Sequence, residues 1–155
     1  MIRLTATLLV CGITLAGCEV TDDSVKWIDV DRAAELNRER AADPLASVFI
    51  DPRPSDSFQA AHIPGAVNMS VAAFDGEKGI NPRVSQFKTI VVYGQNPGDP
   101  STTAAAKRLL QIGYSGVYGF AGGLDDWKRA ALPIESGPGA PLPAVTAPSR
   151  RGDSR

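Results

Sequence analysis

Cysteine is almost absent from this chain. There are two in 155 residues, Cys11 and Cys18, and both fall in the first eighteen. No cysteine lies downstream to act as a thiolate nucleophile, close an internal disulfide or ligate a metal through sulfur. Histidine is scarcer still, with His62 alone, so a histidine metal cluster is excluded. Charge is nearly balanced, 16 basic against 17 acidic side chains. That balance disfavours nucleic acid, or a strongly acidic surface, as a partner. The chain carries no internal repeat, and its longest uncharged apolar run, Leu4 to Gly17, is shorter than the roughly 20 residues a spanning helix requires.

That run follows Arg3 and ends in Leu15-Ala16-Gly17-Cys18, the layout of a cleavable export signal. The small residues before the cysteine resemble the lipobox of bacterial lipoproteins. Residues 1–17 are therefore expected to be a signal peptide, and Cys18 the lipidated first residue of the mature chain. Removing them takes away Arg3 alone among charged groups. Acyl chains at Cys18 would contribute about 0.8 kcal/mol per buried CH₂ and hold the protein on a membrane without a span. The expected location is the cell envelope, facing the periplasm or the exterior. Glu19, where an aspartate would suggest inner-membrane retention, favours the outer membrane. Residues 18–25 read as the lipidated cysteine and a polar tether, 26–135 as one domain, and 136–155 as a solvated Pro/Gly/Ser/Arg tail too poor in apolar residues to offset its ordering entropy. Arg151-Gly152-Asp153 matches an adhesion tripeptide but is too short to carry a function.

Between the ends, short β-branched runs alternate with amphipathic or alanine-rich stretches, the pattern of an α/β domain with a mainly parallel sheet. Strands are expected at Trp27 to Val30, Val48 to Ile50, Ala66 to Met69, Thr89 to Tyr93 and Val117 to Phe120. Helices are expected from Arg32 to about Arg40 with Asp31 as cap, Ser55 to Ala60, Pro100 to Ile112 and about Leu124 to Ala130. Five strands and about five helices result. The Pro100 helix has the clearest bounds, with Asp99 as N-cap, Pro100 at the first position and Gly113 beyond its end.

Three ordered stretches resemble the rhodanese family: Phe49 to Pro54 running through Phe58 to His62-Ile63-Pro64-Gly65-Ala66-Val67-Asn68; Ile90-Val91-Val92-Tyr93 with the loop and alanine-rich helix after it; and Gly122-Gly123-Leu124-Asp125-Asp126-Trp127. The resemblance implies an open five-stranded parallel sheet with helices on both faces. It also implies that the residue directly after the central strand is the family's sulfur-accepting cysteine. Here that residue is Gly94, heading a loop Gly94, Gln95, Asn96, Pro97, Gly98 and Asp99 that contains no cation. In active members the loop's N–H groups and the next helix's positive end lower the thiol pKa; a glycine leaves that field nothing to ionise. If Asp99 caps the helix, its carboxylate takes the electropositive end from within, and thiosulfate, phosphate or arsenate should bind poorly.

The other motif residues, Asp51, Arg53, His62, Gly65, Gly122, Gly123 and Trp127, are expected to be structural. Asp51 and Arg53 would fasten a strand end, His62 would serve a turn, and the glycine pair would permit tight turning. A Ser101/His62/Asp51 hydrolytic site is the weaker reading, since capping accounts for hydroxyls at a helix start. The expectation is a rhodanese-like lipoprotein without catalysis of its own, without cofactor or metal, that binds an envelope protein or small ligand. The alternative is sulfur handling through a partner's thiol or non-cysteine residues.

Overall fold

A computed structural model describes residues 19–75 and 79–145. The expected signal peptide, Cys18 and the end of the tail lie outside the described residues. The element order is a 3₁₀ turn at Asp22–Ser24, then β1 (Lys26–Ile28), α1 (Val30–Ala42), β2 (Ser47–Asp51), α2 (Ser55–Ala60), β3 (Val67–Asn68), α3 (Val71–Asp75), α4 (Pro82–Ser85), β4 (Thr89–Tyr93), α5 (Pro100–Ile112), β5 (Val117–Phe120) and α6 (Gly123–Arg129). The strands form one sheet in the order β1-β5-β4-β2-β3, and every pairing is parallel.

Alternation along the central strands divides the core. Val48, Ile50, Ile90 and Val92 point to one face, where they meet Phe74 of α3, Val84 of α4, and Ala105, Ala106 and Leu109 of α5. Phe49, Val91 and Tyr93 point to the other, where they meet Ala33, Ala34 and Leu36 of α1, Phe58 of α2, and Leu124 and Trp127 of α6. Both faces of β2 and β4 are thus covered, which explains why those strands read as continuous apolar runs. Phe49 and Phe120 approach Trp127 with ring centroids 6.3 and 6.4 Å apart, edge-on contacts of the kind aromatic quadrupoles favour.

Several bounds differ from expectation. Helix α1 starts two residues early, capped by Asp29, whose carboxylate accepts the Arg32 N–H at 2.9 Å; Asp31 sits inside the first turn instead. Strand β1 stops at Ile28, and β3 is only two residues long. Helices α3 and α4, unexpected from sequence, exist because Phe74 and Val84 are fully buried against the sheet.

The first ten residues of the expected tail, 136–145, are mostly exposed and run along the domain surface with a few backbone contacts. Gly137 donates to the Gln59 carbonyl at 2.8 Å, Gly139 passes close enough to Phe58 that a Cβ there would stand 2.6 Å from its ring, and Leu142 packs on the core. Arg83 donates to the Leu142 carbonyl and, at 3.4 Å, to that of Pro143. Prolines 138, 141 and 143 restrict the unfolded chain, so a few contacts suffice to hold the segment down.

Candidate functional site

In open parallel sheets, chemistry collects beyond the carboxyl ends of the strands. The central strand β4 ends at Tyr93, and the loop Gly94 to Asp99 carries the chain into α5. Asp99 caps that helix, and its carboxylate is the hub of the loop. Oδ2 accepts the Gln95 N–H at 2.8 Å, while Oδ1 accepts the Ser101 N–H at 2.9 Å and the Ser101 hydroxyl at 2.7 Å. Burial alone would raise the Asp99 carboxyl. The hydrogen bonds from Gln95 and Ser101, with attraction to Arg53, outweigh it and hold the group below the usual carboxylate range.

Gly94 is buried directly beneath this carboxylate. A Cβ at Gly94 would lie 2.5 Å from both Cγ and Oδ2 of Asp99 and 2.6 Å from Oγ1 of Thr102. The space a longer side chain would enter is therefore already filled. Further donors at the loop's end are also committed: besides Gln95 and Ser101, the Asp99 N–H bonds the Asn96 carbonyl at 3.1 Å and the Thr102 N–H bonds the Asp99 carbonyl at 3.2 Å. Pro97 and Pro100 have no N–H. A negative charge already sits at the α5 N-terminus, and it belongs to the chain itself.

The loop is held from the opposite side by α6. Leu124 and Asp125 donate their N–H groups to the Gly94 and Gln95 carbonyls at 2.9 and 2.8 Å. Gly123 has φ +60°, and a Cβ there would stand 2.7 Å from the Gly94 oxygen and 2.9 Å from the Asn96 nitrogen. Glycine is required by both the backbone conformation and the approach. Gly122, by contrast, faces only the movable Asp126 side chain.

Asp51 and Arg53, 0% and 5% exposed, form a buried pair. Arg53 Nε and Nη2 donate to Oδ1 and Oδ2 of Asp51 at 2.9 and 2.6 Å, and Nη2 also reaches the Ala61 carbonyl at 2.8 Å. Burial opposes the guanidinium charge, but Asp51 more than compensates, so the Arg53 pKa stays above its ordinary value. Arg53 Nη1 then donates to Gln95 Oε1 at 2.5 Å, and Gln95 Nε2 donates to Asp125 at 2.6 Å. One side chain in the loop thereby joins the strand-end ion pair to α6. Tyr93, whose phenol is pushed well up by burial and the nearby Asp51 charge, accepts the Ile63 N–H at 3.1 Å.

His62 lies away from the loop. It is fully buried, stacked on Phe58 with centroids 4.0 Å apart, and Nδ1 is 2.9 Å from the Phe58 carbonyl. Its backbone exchanges two hydrogen bonds with Glu135, whose carboxylate also accepts the Gly65 N–H at 2.8 Å. Gly65, at φ +67°, turns under the Arg40 guanidinium, which donates to its carbonyl at 2.6 Å. The structure thus joins Gly94, Gln95, Asp99, Asp51, Arg53 and Gly123 in one cluster and leaves His62 and Gly65 in another, so Ser101, His62 and Asp51 form no triad. Thr102, one of the hydroxyls at the helix start, stands beside Gly94, and Asp125 and Glu135 complete these clusters without having been assigned a role in the sequence. The signal for Asp125 was its place two residues after the glycine pair. Among the described residues no group of three or more His, Cys, Asp or Glu side chains is set to hold a metal.

The fold and this loop define an α/β domain of the type that carries chemistry at the end of its central strand. Residues 24–130 match the rhodanese-like domain family, and the chain belongs to that family. It is 36% identical over 118 residues to the thiosulfate sulfurtransferase GlpE of Pseudomonas putida, covering 74% of this chain and 94% of that protein. The rhodanese-like domain of the Anabaena Alr3790 protein shares the fold with TM-score 0.53 and 24% identity, over 83% of this chain and 97% of that one. A thiosulfate sulfurtransferase from Pseudomonas aeruginosa does so with TM-score 0.57 and 21% identity, over 81% of this chain and 23% of that one.

Proposed function

We propose that this protein is a rhodanese-like lipoprotein that performs no sulfur transfer on its own and serves as a binding or regulatory module of the cell envelope, anchored through Cys18. The observation that carries this reading is the Asp99 carboxylate standing where a side chain at Gly94 would project. Gly94 follows the central strand, the place of the family's sulfur-accepting cysteine, and neither cysteine of the chain falls within the described residues. Sulfane transfer needs a thiolate to carry the persulfide and free N–H groups around it. Here Gly94 supplies no side-chain nucleophile, and the N–H groups of Gln95 and Ser101 are bound to an internal carboxylate. Export and lipidation rest on the Leu15-Ala16-Gly17-Cys18 sequence; no helix among the described residues is long and apolar enough to cross a membrane.

Thiosulfate:cyanide sulfurtransferase activity of the purified chain, beside its Gly94→Cys variant, tests this directly. Both are expected to be silent, the variant because its thiol would have to displace Asp99. Thiocyanate formed by the parent chain would overturn the proposal, while turnover by Gly94→Cys alone would show that the sulfur cradle survives. The alternative, sulfur handling with a partner's thiol, draws on the likeness to GlpE and requires turnover that appears only when an envelope extract is added.

A further inference from the structure

The segment between the expected anchor and the domain is much shorter than its polarity suggests. Thr21 already caps the Asp22–Ser24 turn, with its backbone N–H bonded to Ser24 Oγ at 3.1 Å. Asp22 receives Lys107 Nζ at 2.7 Å, and Val25 is buried in the core beneath α5. Only Glu19 and Val20 separate Cys18 from this docked turn. Three residues at full extension reach about 10 Å, whereas the headgroup layer of one leaflet is itself roughly 6 Å deep.

Beside the docked turn, an open cleft of about 580 Å³ runs along the outer face of α5, bordered by Asp22, Thr103, Lys107 and Arg108 and, at the end of the Gly94 to Asp99 loop, by Gly98 and Pro100. Resting on the lipid-anchor reading above, we infer that this face of α5 is held against the headgroup layer of the bilayer, so that the loop's outer end opens onto the membrane surface. Helix α1, which covers the opposite face of the sheet, is turned away from it. The tether sets this orientation, because the charges on the segment and cleft nearly cancel: Glu19, Asp22 and Asp23 against Lys107 and Arg108. Apposition is therefore independent of anionic lipid and insensitive to salt.

The test uses the full chain, exported and purified in detergent, then placed in phosphatidylcholine vesicles containing a doxyl-labelled lipid. Mass spectrometry first establishes the acyl chains on Cys18. With that sulfur consumed, Ala104→Cys, Gln111→Cys and Arg38→Cys each offer one thiol at an exposed position for an environment-sensitive fluorophore. Quenching at positions 104 and 111 of α5 is expected to exceed that at position 38 of α1 by at least threefold, at low and high salt alike. Inserting ten Gly/Ser residues after Glu19 should bring all three to the same level while the chain stays vesicle-bound. Equal quenching at the three positions in an acylated, vesicle-bound chain overturns the orientation and leaves the anchor standing. A chain without acyl groups overturns the anchor, and the orientation with it.

Discussion

Gly94→Ala separates two accounts of the glycine by sign. The backbone at Gly94 is not in the left-handed region, so alanine is conformationally allowed, and were space available it would stabilise the fold by about 0.4–1 kcal/mol through the unfolded chain. The methyl group would instead sit 2.5 Å from the Asp99 carboxylate. It clears only if Asp99 swings out and gives up its bonds to Gln95 and Ser101. Losing a helix N-cap costs about 0.5–2 kcal/mol, and leaving a partly buried N–H unpaired adds about 1–3 kcal/mol. The net expectation is a destabilisation of about 2 kcal/mol, lowering Tm by roughly 5–10 °C in a domain of this size. Thermal unfolding followed by circular dichroism reads it. The decisive comparison is a double-mutant cycle: Asp99→Ala should cost about 1–2 kcal/mol alone, and Gly94→Ala in that background should cost at least about 1 kcal/mol less than in the parent. A Gly94→Ala protein as stable as the parent, or costs that simply add, would refute the steric argument.

Asp99 also makes a pH prediction. Its carboxyl is lowered in the fold, so its stabilising contribution is whole above the unfolded value of about 3.9 and is lost as pH falls through the lower native value; urea unfolding should show a gap between parent and Asp99→Asn at pH 7 that narrows below about pH 3.5. Removing one member of the buried pair, by Asp51→Asn or Arg53→Met, should cost about 3–5 kcal/mol, and Asp51→Leu/Arg53→Met much less than the sum, as measured by denaturant midpoints. Gly123→Ala should cost more than about 2 kcal/mol because the atoms in its way are backbone; unlike the cost at Gly94, this one should persist when Asp99 is removed.

Local chemistry was legible in the sequence and distant packing was not. The Asp99-Pro100 start and Gly113 end of α5 carry their own caps, so both bounds were readable. At α1 the sequence pointed to Asp31 as the cap, but β1 ends at Ile28, so the helix begins two residues earlier and Asp29 takes that place. Asn81-Pro82 carried a usable start signal for α4, but four residues make no periodic pattern. In the site, the order of the loop was plain, whereas the Arg53-Gln95-Asp125 chain joins residues 42 and 30 positions apart and depends on how β2 and α6 meet β4. Composition pointed to the exposure of residues 136–145, but the carbonyls held by Arg83 and the passage of Gly139 over Phe58 are matters of backbone placement that composition does not carry.

Glu135 sets where the cooperative unit can be cut. It lies beyond residue 130, where the family match ends, yet its main chain closes a bridge to His62 and its carboxylate caps the turn at Gly65. A fragment trimmed to the matched span would leave the rings of Phe58 and His62 facing water along one edge and the Ile63 to Ala66 turn without its partner. The working boundary for dissecting this protein is therefore set by a strand-like clasp between two distant segments, several residues past the last helix.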